Sequence, residues 1–320
     1  TLLRAAAKNF ESVAVVCDPA DYGEVLAALQ AHALTVEQRR GLALKAFRHT
    51  AAYDAAIATW LGQHAETSTG SHPPALPGTI VLAAQRVQSL RYGENPHQEA
   101  ALYRWTGTAP AFEQLQGKEL SYNNLIDLEA AWAMPQEFAE PAVAIIKHTN
   151  PSGLAAAGSL VAAYRLAFAC DPVSAYGSII AVNREVDLAL VQEMGSLFVE
   201  VLAAPGFTAD ALGWLAGHKQ NCRVMRAAGA APAGPILRSV QGGLLAQSPD
   251  DRGVDESTWK VVTQRQPSEA ERRSLAFAWL AAKHVKSNAI VFAQGTATVG
   301  VGAGQMNRVD SVYLAARRAG

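Results

Sequence analysis

A short apolar run near the middle of the chain, Ala142–Ile146, ends directly in the polar sequence Lys-His-Thr-Asn-Pro-Ser-Gly. Such a run bounded by turn formers is typical of a buried strand, and the Asn-Pro and Ser-Gly steps predict a turn before a helix that begins near Leu154. Neighbouring side chains on a strand point to opposite faces, so Lys147 and His148 share a site only if the strand has ended there. From these residues alone, they are either a functional pair or a solvated lysine beside a capping histidine.

The rest of the chain alternates strand-like and helix-like segments, which predicts an α/β protein. A buried strand is expected at residues 12–17, and a long helix is expected after Thr35, which forms a capping box with Gln38. Residues 64–78 are rich in Pro, Gly, Ser and Thr and lack hydrophobic periodicity, which is typical of a linker. The predicted domains on either side of this linker are residues 1–63 and 79–320.

The carboxyl-terminal half carries further structural signals. Ser268 and Glu271 form a second capping box, which predicts a helix that continues through Leu280. The glycines of the stretch 300–304 follow a predicted strand, but they lack the full spacing of a dinucleotide-binding loop and the acidic residue about 20 positions later. The other predicted elements are a strand at 177–182, a helix around 188–203, and strands near 289–292 and 298–301.

The composition excludes several classes of function. The 320 residues carry 27 basic and 28 acidic side chains, so the net charge of −1 gives no field that attracts nucleic acid or an anionic membrane. The three cysteines form no CxxC pair, which argues against a disulfide framework or a zinc or iron–sulfur site and favours the reducing cytoplasm. No apolar run has the length of a membrane span, and no leader sequence is recognisable. Because the sequence opens mid-helix without Met, we expect a fragment of a longer protein.

Six short motifs are more specific than any of these patterns. They are Leu90–Gln98 (LRYGENPHQ), Leu120–Asp127 (LSYNNLID), Ile145–Gly153 (IIKHTNPSG), Asp171–Gly177 (DPVSAYG), Ser287–Ile290 (SNAI) and Gly302–Arg308 (GAGQMNR). In this order they resemble the family of bifunctional purine biosynthesis enzymes that combine AICAR formyltransferase and IMP cyclohydrolase activities. Residues 4–9, 15–19 and 46–51 are similar to the end of the family's cyclohydrolase domain, so the resemblance covers essentially the whole chain.

The resemblance implies a fold for each part of the chain. Residues 1–63 would be the tail end of a methylglyoxal-synthase-like cyclohydrolase domain. Residues 79–320 would be a cytidine-deaminase-like transformylase domain, zinc-free and duplicated. Family members extend further at both ends, so most of the cyclohydrolase domain and the carboxyl-terminal part of the transformylase domain are expected to be missing. The family also implies a homodimer.

The implied reaction moves a formyl group from 10-formyltetrahydrofolate to the 5-amino group of AICAR, and the resulting FAICAR then closes to IMP. That amine is a weak nucleophile, so an enzyme must orient the reactants, remove the amine proton and stabilise the developing oxyanion. By resemblance, His148 is the base and Lys147 donates to the oxyanion. An imidazole accepts a proton at neutral pH, and a nearby cation favours its neutral form. Lys8 matches a lysine that transfers protons in the cyclohydrolase step.

The resemblance also implies residues that bind the substrates. Arg91 and Tyr92 match AICAR contacts, and a guanidinium can form paired hydrogen bonds with phosphate oxygens. Gly177 would let the backbone approach the nucleotide, and Glu200 would accept hydrogen bonds from the ribose. The remaining implied contacts are Asn124 near the nucleotide, Asn288 at the carboxamide or the formyl oxygen, and Arg308 at the acidic glutamyl tail of the folate.

No tightly bound cofactor is implied, because the folate is a cosubstrate, although a potassium ion near residues 285–288 fits the family. The expected partners are AICAR, 10-formyltetrahydrofolate and a second copy of the chain, with no nucleic acid and no membrane. One alternative is a catalytically inactive nucleotide-binding or dimer-forming fragment, which would bind AICAR without turnover. A dinucleotide-binding protein that uses residues 300–304 would instead bind NAD.

Overall fold

The computed structural model describes residues 1–65, 76–228 and 234–320, so residues 66–75 of the predicted linker lie outside the described residues. The chain divides into two compact units. Of the described residues, the amino-terminal unit contains those up to 87 together with 103–108 and 234–249, and the sheet unit contains 88–102, 109–228 and 250–320. The domain division predicted at residues 64–78 stays a prediction.

Three helices dominate the amino-terminal unit: α1 (Leu2–Lys8), α2 (Tyr22–Gln30) and α3 (Val36–Ala65). The capping box predicted at the start of α3 is confirmed, because the Thr35 amide donates to Gln38 Oε1 at 2.8 Å and the Gln38 amide donates to Thr35 Oγ1 at 3.1 Å. The strand predicted at residues 12–17 is wrong. In the described part of the chain no strand pairs with this segment, and its Val15 packs instead among helix residues of α1 and α3.

The core of the sheet unit is an eight-stranded mixed sheet. Its strands are β3 (Phe112–Gln116), β4 (Ala142–Lys147), β5 (Asn150–Ala156), β6 (Ser178–Val182), β7 (Val199–Ala204), β8 (Arg223–Ala227), β11 (Ile290–Gln294) and β12 (Ala297–Gly302). Their order in the sheet is β11-β12-β5-β4-β6-β7-β8-β3. The neighbours β6, β7 and β8 run parallel, and the other pairs run antiparallel. The predicted strands at 177–182, 289–292 and 298–301 are confirmed as β6, β11 and β12. Two separate two-stranded sheets pair β1 (Ala84–Leu90) with β2 (Ala100–Trp105) and β9 (Ile236–Val240) with β10 (Gly243–Gln247).

Apolar residues cover both faces of the large sheet. The helices of the sheet unit are α4 (Tyr122–Ala133), α5 (Leu160–Cys170), α6 (Leu188–Met194), α7 (Ala209–His218), α8 (Glu269–Lys283) and α9 (Arg308–Ala319). One buried cluster joins the sheet to α5, α6 and α7, and a second joins it to α4 and α8. Among the described helices, none combines the length and the apolar character that crossing a membrane requires.

Two segments predicted as helical are strands instead, although the first half of the helix predicted around 188–203 is confirmed as α6. The helix expected near Leu154 begins only at Leu160, and residues 150–156 form a buried strand between β4 and β12. Residues 199–204, predicted as the second half of a helix, form β7 between two parallel neighbours. Both segments end in Leu-Ala-Ala, which favours a helix, but burial in the sheet interior outweighs this helix propensity.

Two of the three glycines in the 300–304 stretch, Gly300 and Gly302, serve packing. A Cβ on Gly300 would lie 2.1 Å from the carbonyl oxygen of Ala315, and one on Gly302 would lie 1.9 Å from that of Ser311. Both oxygens belong to α9, so these glycines let the helix backbone approach β12 closely. This packing role accounts for Gly300 and Gly302 without a dinucleotide, and the positive φ of Gly304, +66°, favours glycine there.

The second capping box is also confirmed, and it leads to a pH-dependent prediction. The Arg265 guanidinium and the Ser268 amide and hydroxyl lower the pKa of the Glu271 carboxyl from 4.5 to about 2. A depressed pKa means that the interaction stabilises the folded chain above pH 4.5 and is lost as the pH falls toward 2. We expect Arg265→Ala to raise this pKa toward its ordinary value, as measured by NMR titration of the side-chain carboxyl carbon. Arg273→Ala, an exposed change on the same helix, is the control; an equal rise there would contradict the assignment to Arg265.

Candidate functional site

The β4–β5 hairpin places Lys147 and His148 at a tight turn. Lys147 pairs with Asn150 across the two strands, and the two residues between them have positive φ angles, 52° for His148 and 61° for Thr149. Two-residue hairpin loops with positive φ at both positions match the twist of the flanking strands, and they usually contain Asn and Gly. The strand therefore ends at Lys147. Because the chain turns at this point, the side chains of Lys147 and His148 can belong to one site.

Side chains satisfy the polar backbone groups of this turn. The His148 and Thr149 amides donate to the two carboxylate oxygens of Asp127, at 3.3 and 2.7 Å. The His148 carbonyl accepts a hydrogen bond from the side-chain Nδ2 of Asn150 at 3.0 Å and another from the Thr149 hydroxyl at 2.7 Å. The imidazole of His148 remains exposed, so the turn is fixed while its side chain stays accessible.

Lys147 reaches the start of the neighbouring strand β6. Its ammonium donates to the Tyr176 carbonyl at 2.7 Å, which leaves further donors of the same group for a ligand. Gly177 follows with a φ of +70°, and its amide donates to the Phe198 carbonyl at 2.8 Å. A Cβ here would come no closer than 3.7 Å to the Phe198 ring, so the positive φ favours glycine more than crowding does.

The strand register brings the predicted transformylase residues to one end of the sheet. β4 ends at Lys147, and its antiparallel neighbours β5 and β6 begin at this same end. The parallel strands β7 and β8 also begin there, and β12, antiparallel to β5, ends there next to the first residue of β11. The candidates at this end of the sheet are Lys147, His148, Gly177, Glu200, Asn288 and Arg308.

Hydrogen bonds connect the hairpin to the segment that carries Asn288. The Lys286 amide donates to Asn150 Oδ1 at 3.2 Å, and the Lys286 carbonyl accepts from the Gly304 amide at 2.8 Å. The side-chain Nδ2 of Asn288 donates to the carbonyls of Gln305 and Met306, at 2.9 and 3.3 Å. With that nitrogen engaged, the side-chain oxygen of Asn288 is the group best placed to meet a substrate, and it can only accept a hydrogen bond.

The predicted potassium position involves the same segment. The carbonyls of Lys286 and Asn288 accept hydrogen bonds from Gly304 and from the Ser311 hydroxyl. Each carbonyl oxygen has a second lone pair, so the potassium ion near residues 285–288 stays a prediction. In the part of the chain that the structure describes, no group of three or more His, Cys, Asp or Glu side chains could hold a metal ion.

Arg91 and Tyr92 lie in the loop after β1 and contact each other. The Arg91 guanidinium carbon lies 5.1 Å from the centre of the Tyr92 ring, a cation–π distance. The loop meets the start of α4, where the Asn123 side chain donates to the Glu94 carbonyl at 3.3 Å. The next residue, Asn124, forms the capping box of α4 with Ser121, so its side-chain oxygen is already bound to the Ser121 amide.

Glu200, predicted as the ribose contact, forms an ion pair with Arg223. Arg223 is buried, and its Nε also donates to the Glu119 carbonyl at 2.9 Å. The ion pair fixes one carboxylate oxygen of Glu200 and leaves the other as an acceptor. Arg308 is the exposed first residue of α9, and Lys8 is exposed at the end of α1 in the amino-terminal unit.

A cavity of about 1190 Å³ lies elsewhere in the sheet unit, between residues 259–267, α8 and β11. None of the predicted site residues lines it. Volume alone would select this cavity, but the side chains suited to acid–base chemistry gather at the sheet end. The sheet end is therefore the better candidate site.

Two residues that hold the turn, Asp127 and Asn150, have no role that the sequence predicts. Asp127 is the last residue of the motif that begins at Leu120, but its partners lie 21 and 22 positions away. Asn150 belongs to the His148 motif, where its Asn-Pro step was interpreted only as a turn signal. Asp127 and Asn150 are polar residues inside a motif that have no predicted role, and this was the sequence signal that could have identified them.

Comparison with known proteins gives consistent matches. The family model for the AICARFT/IMPCHase bienzyme matches residues 6–318. A bifunctional purine biosynthesis protein PurH of Desulfitobacterium hafniense is 49% identical over 328 residues, which covers 100% of this chain and 63% of the relative. Proteins of the same name from Neisseria gonorrhoeae and Magnetococcus marinus are each 47% identical, again over the whole chain and 62% of their own length. The chain therefore spans about three fifths of the length of these relatives.

Proposed function

Because the chain belongs to the AICARFT/IMPCHase bienzyme family, we propose that its sheet end is a site for formyl transfer to AICAR. The formyl donor is 10-formyltetrahydrofolate, and the product is FAICAR. Residues 1–63 are the end of a cyclohydrolase domain, and residues 79–320 belong to a cytidine-deaminase-like transformylase domain. The observation that carries the proposal is the β4–β5 turn, which presents an accessible imidazole next to an ammonium group.

The proposed chemistry uses that pair directly. The 5-amino nitrogen of AICAR attacks the formyl carbon, and the carbonyl electrons move onto the formyl oxygen. Lys147 donates a hydrogen bond to this oxyanion through a proton not committed to Tyr176. The imidazole of His148 takes the proton that the amine loses, and its exposure permits that approach. When the oxyanion collapses, the bond between the formyl carbon and the folate nitrogen breaks, and that nitrogen takes up the proton that the imidazolium of His148 gives back.

The other candidates bind and orient the substrates. Asn288 offers an acceptor oxygen, so it suits the N–H groups of the AICAR carboxamide better than the formyl oxygen. Glu200 offers its second carboxylate oxygen to the ribose hydroxyls, and Gly177 allows a close backbone approach. Arg308 faces the acidic tail of the folate. Asn124 contributes less than the sequence suggested, because its side-chain oxygen caps α4.

Arg91 is proposed to bind the phosphate of AICAR, and its removal tests the nucleotide site. A hydrogen bond to a charged group is worth about 1.5–3 kcal/mol, so we expect Arg91→Ala to weaken AICAR binding by about 10- to 100-fold. Calorimetric titration measures the dissociation constant. Arg86→Ala, an exposed arginine on β1, is the matched control. An unchanged dissociation constant for Arg91→Ala would remove this residue from the site.

The same titration of the unaltered chain, followed by an assay of formyl transfer, tests the proposal itself. Binding with turnover supports the transferase. Binding without turnover supports the catalytically inactive fragment, which no observation yet favours. A folded chain that does not bind AICAR contradicts both. Lys8 in the cyclohydrolase step and the homodimer remain predictions from the family resemblance.

A further inference from the structure

The turn that carries His148 needs outside support. Positive φ angles at two consecutive residues other than glycine are unfavourable, because the Cβ atom crowds the backbone. His148 and Thr149 both adopt this conformation, at 52° and 61°. Asn-Gly, the usual pair in such turns, is absent. Something in the surrounding structure therefore has to hold the turn in place.

Asp127 provides that support from a neighbouring helix. Each of its carboxylate oxygens accepts one amide of the turn, from Thr149 at 2.7 Å and from His148 at 3.3 Å. Hydrogen bonds to an ionised acceptor are stronger than neutral ones, and two of them fix both the position and the orientation of the peptide planes. Asp127 is half-buried, which limits competition from water.

Asp127 itself sits on a rigid element. The capping box of Ser121 and Asn124 sets where α4 begins, at Tyr122, less than two turns before Asp127. The next residue, Leu128, is buried in the core against the sheet. The helix therefore cannot slide or rotate without breaking its cap or exposing Leu128, and the carboxylate is held at a fixed place.

We propose that Asp127 is a positioning residue that holds His148 in its left-handed conformation and so aims the imidazole at the AICAR amine. This inference rests on the proposed function of the sheet end. Asp127 does not touch the reacting atoms; it acts through the backbone amides of the turn. Asn150 completes the support, because its side-chain Nδ2 donates to the His148 carbonyl.

Asp127→Ala tests the inference in two ways. The Thr149 amide should lose its protection against hydrogen exchange, because its carboxylate partner is gone. A misplacement of about 1 Å can cost about 100-fold in rate, so we expect kcat to fall by about that factor while the AICAR dissociation constant stays close to that of the unaltered chain. Glu129→Ala makes the same change at an exposed carboxylate on the same helix, and it should alter neither quantity.

A second substitution separates positioning from a general loss of structure. Glycine adopts positive φ without cost, so Thr149→Gly in the Asp127→Ala background should relax the need for the carboxylate. We expect it to restore kcat by about tenfold. If Asp127→Ala does not fold, Asp127→Asn keeps the side-chain volume but turns an amide donor toward one of the two turn amides, and it should lower kcat in the same way.

The outcomes distinguish this inference from the proposed function. Unchanged turnover and a protected Thr149 amide in Asp127→Ala would overturn the positioning role and leave the formyltransferase proposal standing. A loss of turnover that Thr149→Gly fails to recover, with a matching fall in melting temperature, would also overturn it. If the unaltered chain shows no turnover, the proposed function fails, and the Thr149 amide still decides whether Asp127 holds the turn.

Discussion

Removing the imidazole of His148 should lower kcat for formyl transfer by about 10²- to 10⁴-fold, the range that general base catalysis contributes. Both His148→Ala and His148→Asn remove the base. The asparagine variant is the cleaner test, because Asn tolerates the positive φ of this turn better than Ala does. AICAR binding should remain close to that of the unaltered chain, since the proposed phosphate and ribose contacts lie on other segments.

The chain offers a matched control for this experiment. His32 also has a positive φ, 51°, but it is exposed in the amino-terminal unit. His32→Ala therefore repeats the chemical change and the backbone conformation away from the proposed site, and it should leave turnover unaltered. A His148→Asn protein that retains full turnover would show that another group accepts the proton.

The second large effect concerns stability, at Gly153 in β5. A Cβ at this position would lie 1.8 Å from the Ala167 carbonyl oxygen on α5, far inside van der Waals contact. Both partners are backbone, so neither can move aside as a flexible side chain could. We expect Gly153→Ala to lower the free energy of unfolding by about 3 kcal/mol, the upper part of the usual range for overpacking. A fall of about 1 M in the midpoint of urea unfolding would report it.

Gly158→Ala is the control for this stability effect. Gly158 lies between the same two elements, and nothing is within 4 Å of the place where its Cβ would be. Its substitution should change the stability by less than about 0.5 kcal/mol. Equal midpoints for the two variants would mean that α5 shifts away from β5 at little cost, and that the contact at Gly153 does not constrain the packing.

The features that the sequence predicted well depend on near neighbours in the chain. The capping boxes at Thr35 and Ser268 require only a side chain three positions away, and both are present. The end of β4 at Lys147 follows from an apolar run that stops at charged residues. Local hydrogen bonding and local burial are sufficient to fix these elements.

The segments whose secondary structure was predicted wrongly depend instead on residues far away in the chain. Residues 150–156 and 199–204 contain residues that favour helices, and only their position between neighbouring strands makes them strands. The segment 12–17 has the residues of a strand but no strand partner in the described part of the amino-terminal unit. Pairing and its absence are properties of the whole fold, which a local pattern does not contain.

The candidate site shows the same contrast. Lys147 and His148 are adjacent in sequence, so a motif can reveal them together. Asp127 meets them only because α4 packs on the sheet beside β4, 21 positions away. The family resemblance supplied roles for the residues that bind or react, and the structure was needed to find the residue that holds one of them in place.

The order of strands in the large sheet has a consequence for synthesis on the ribosome. One edge of β5 pairs with β12, which is made much later. The Thr296 hydroxyl, just before β12, donates to the Ala156 carbonyl at the end of β5, and these two residues are 140 positions apart in the sequence. At about 5–20 residues per second, that edge waits on the order of ten seconds for its partner. Until then β5 has unpaired backbone groups along one side, and such an edge is a template for pairing with other nascent chains. A chaperone that covers this edge of β5 during synthesis would prevent such pairing.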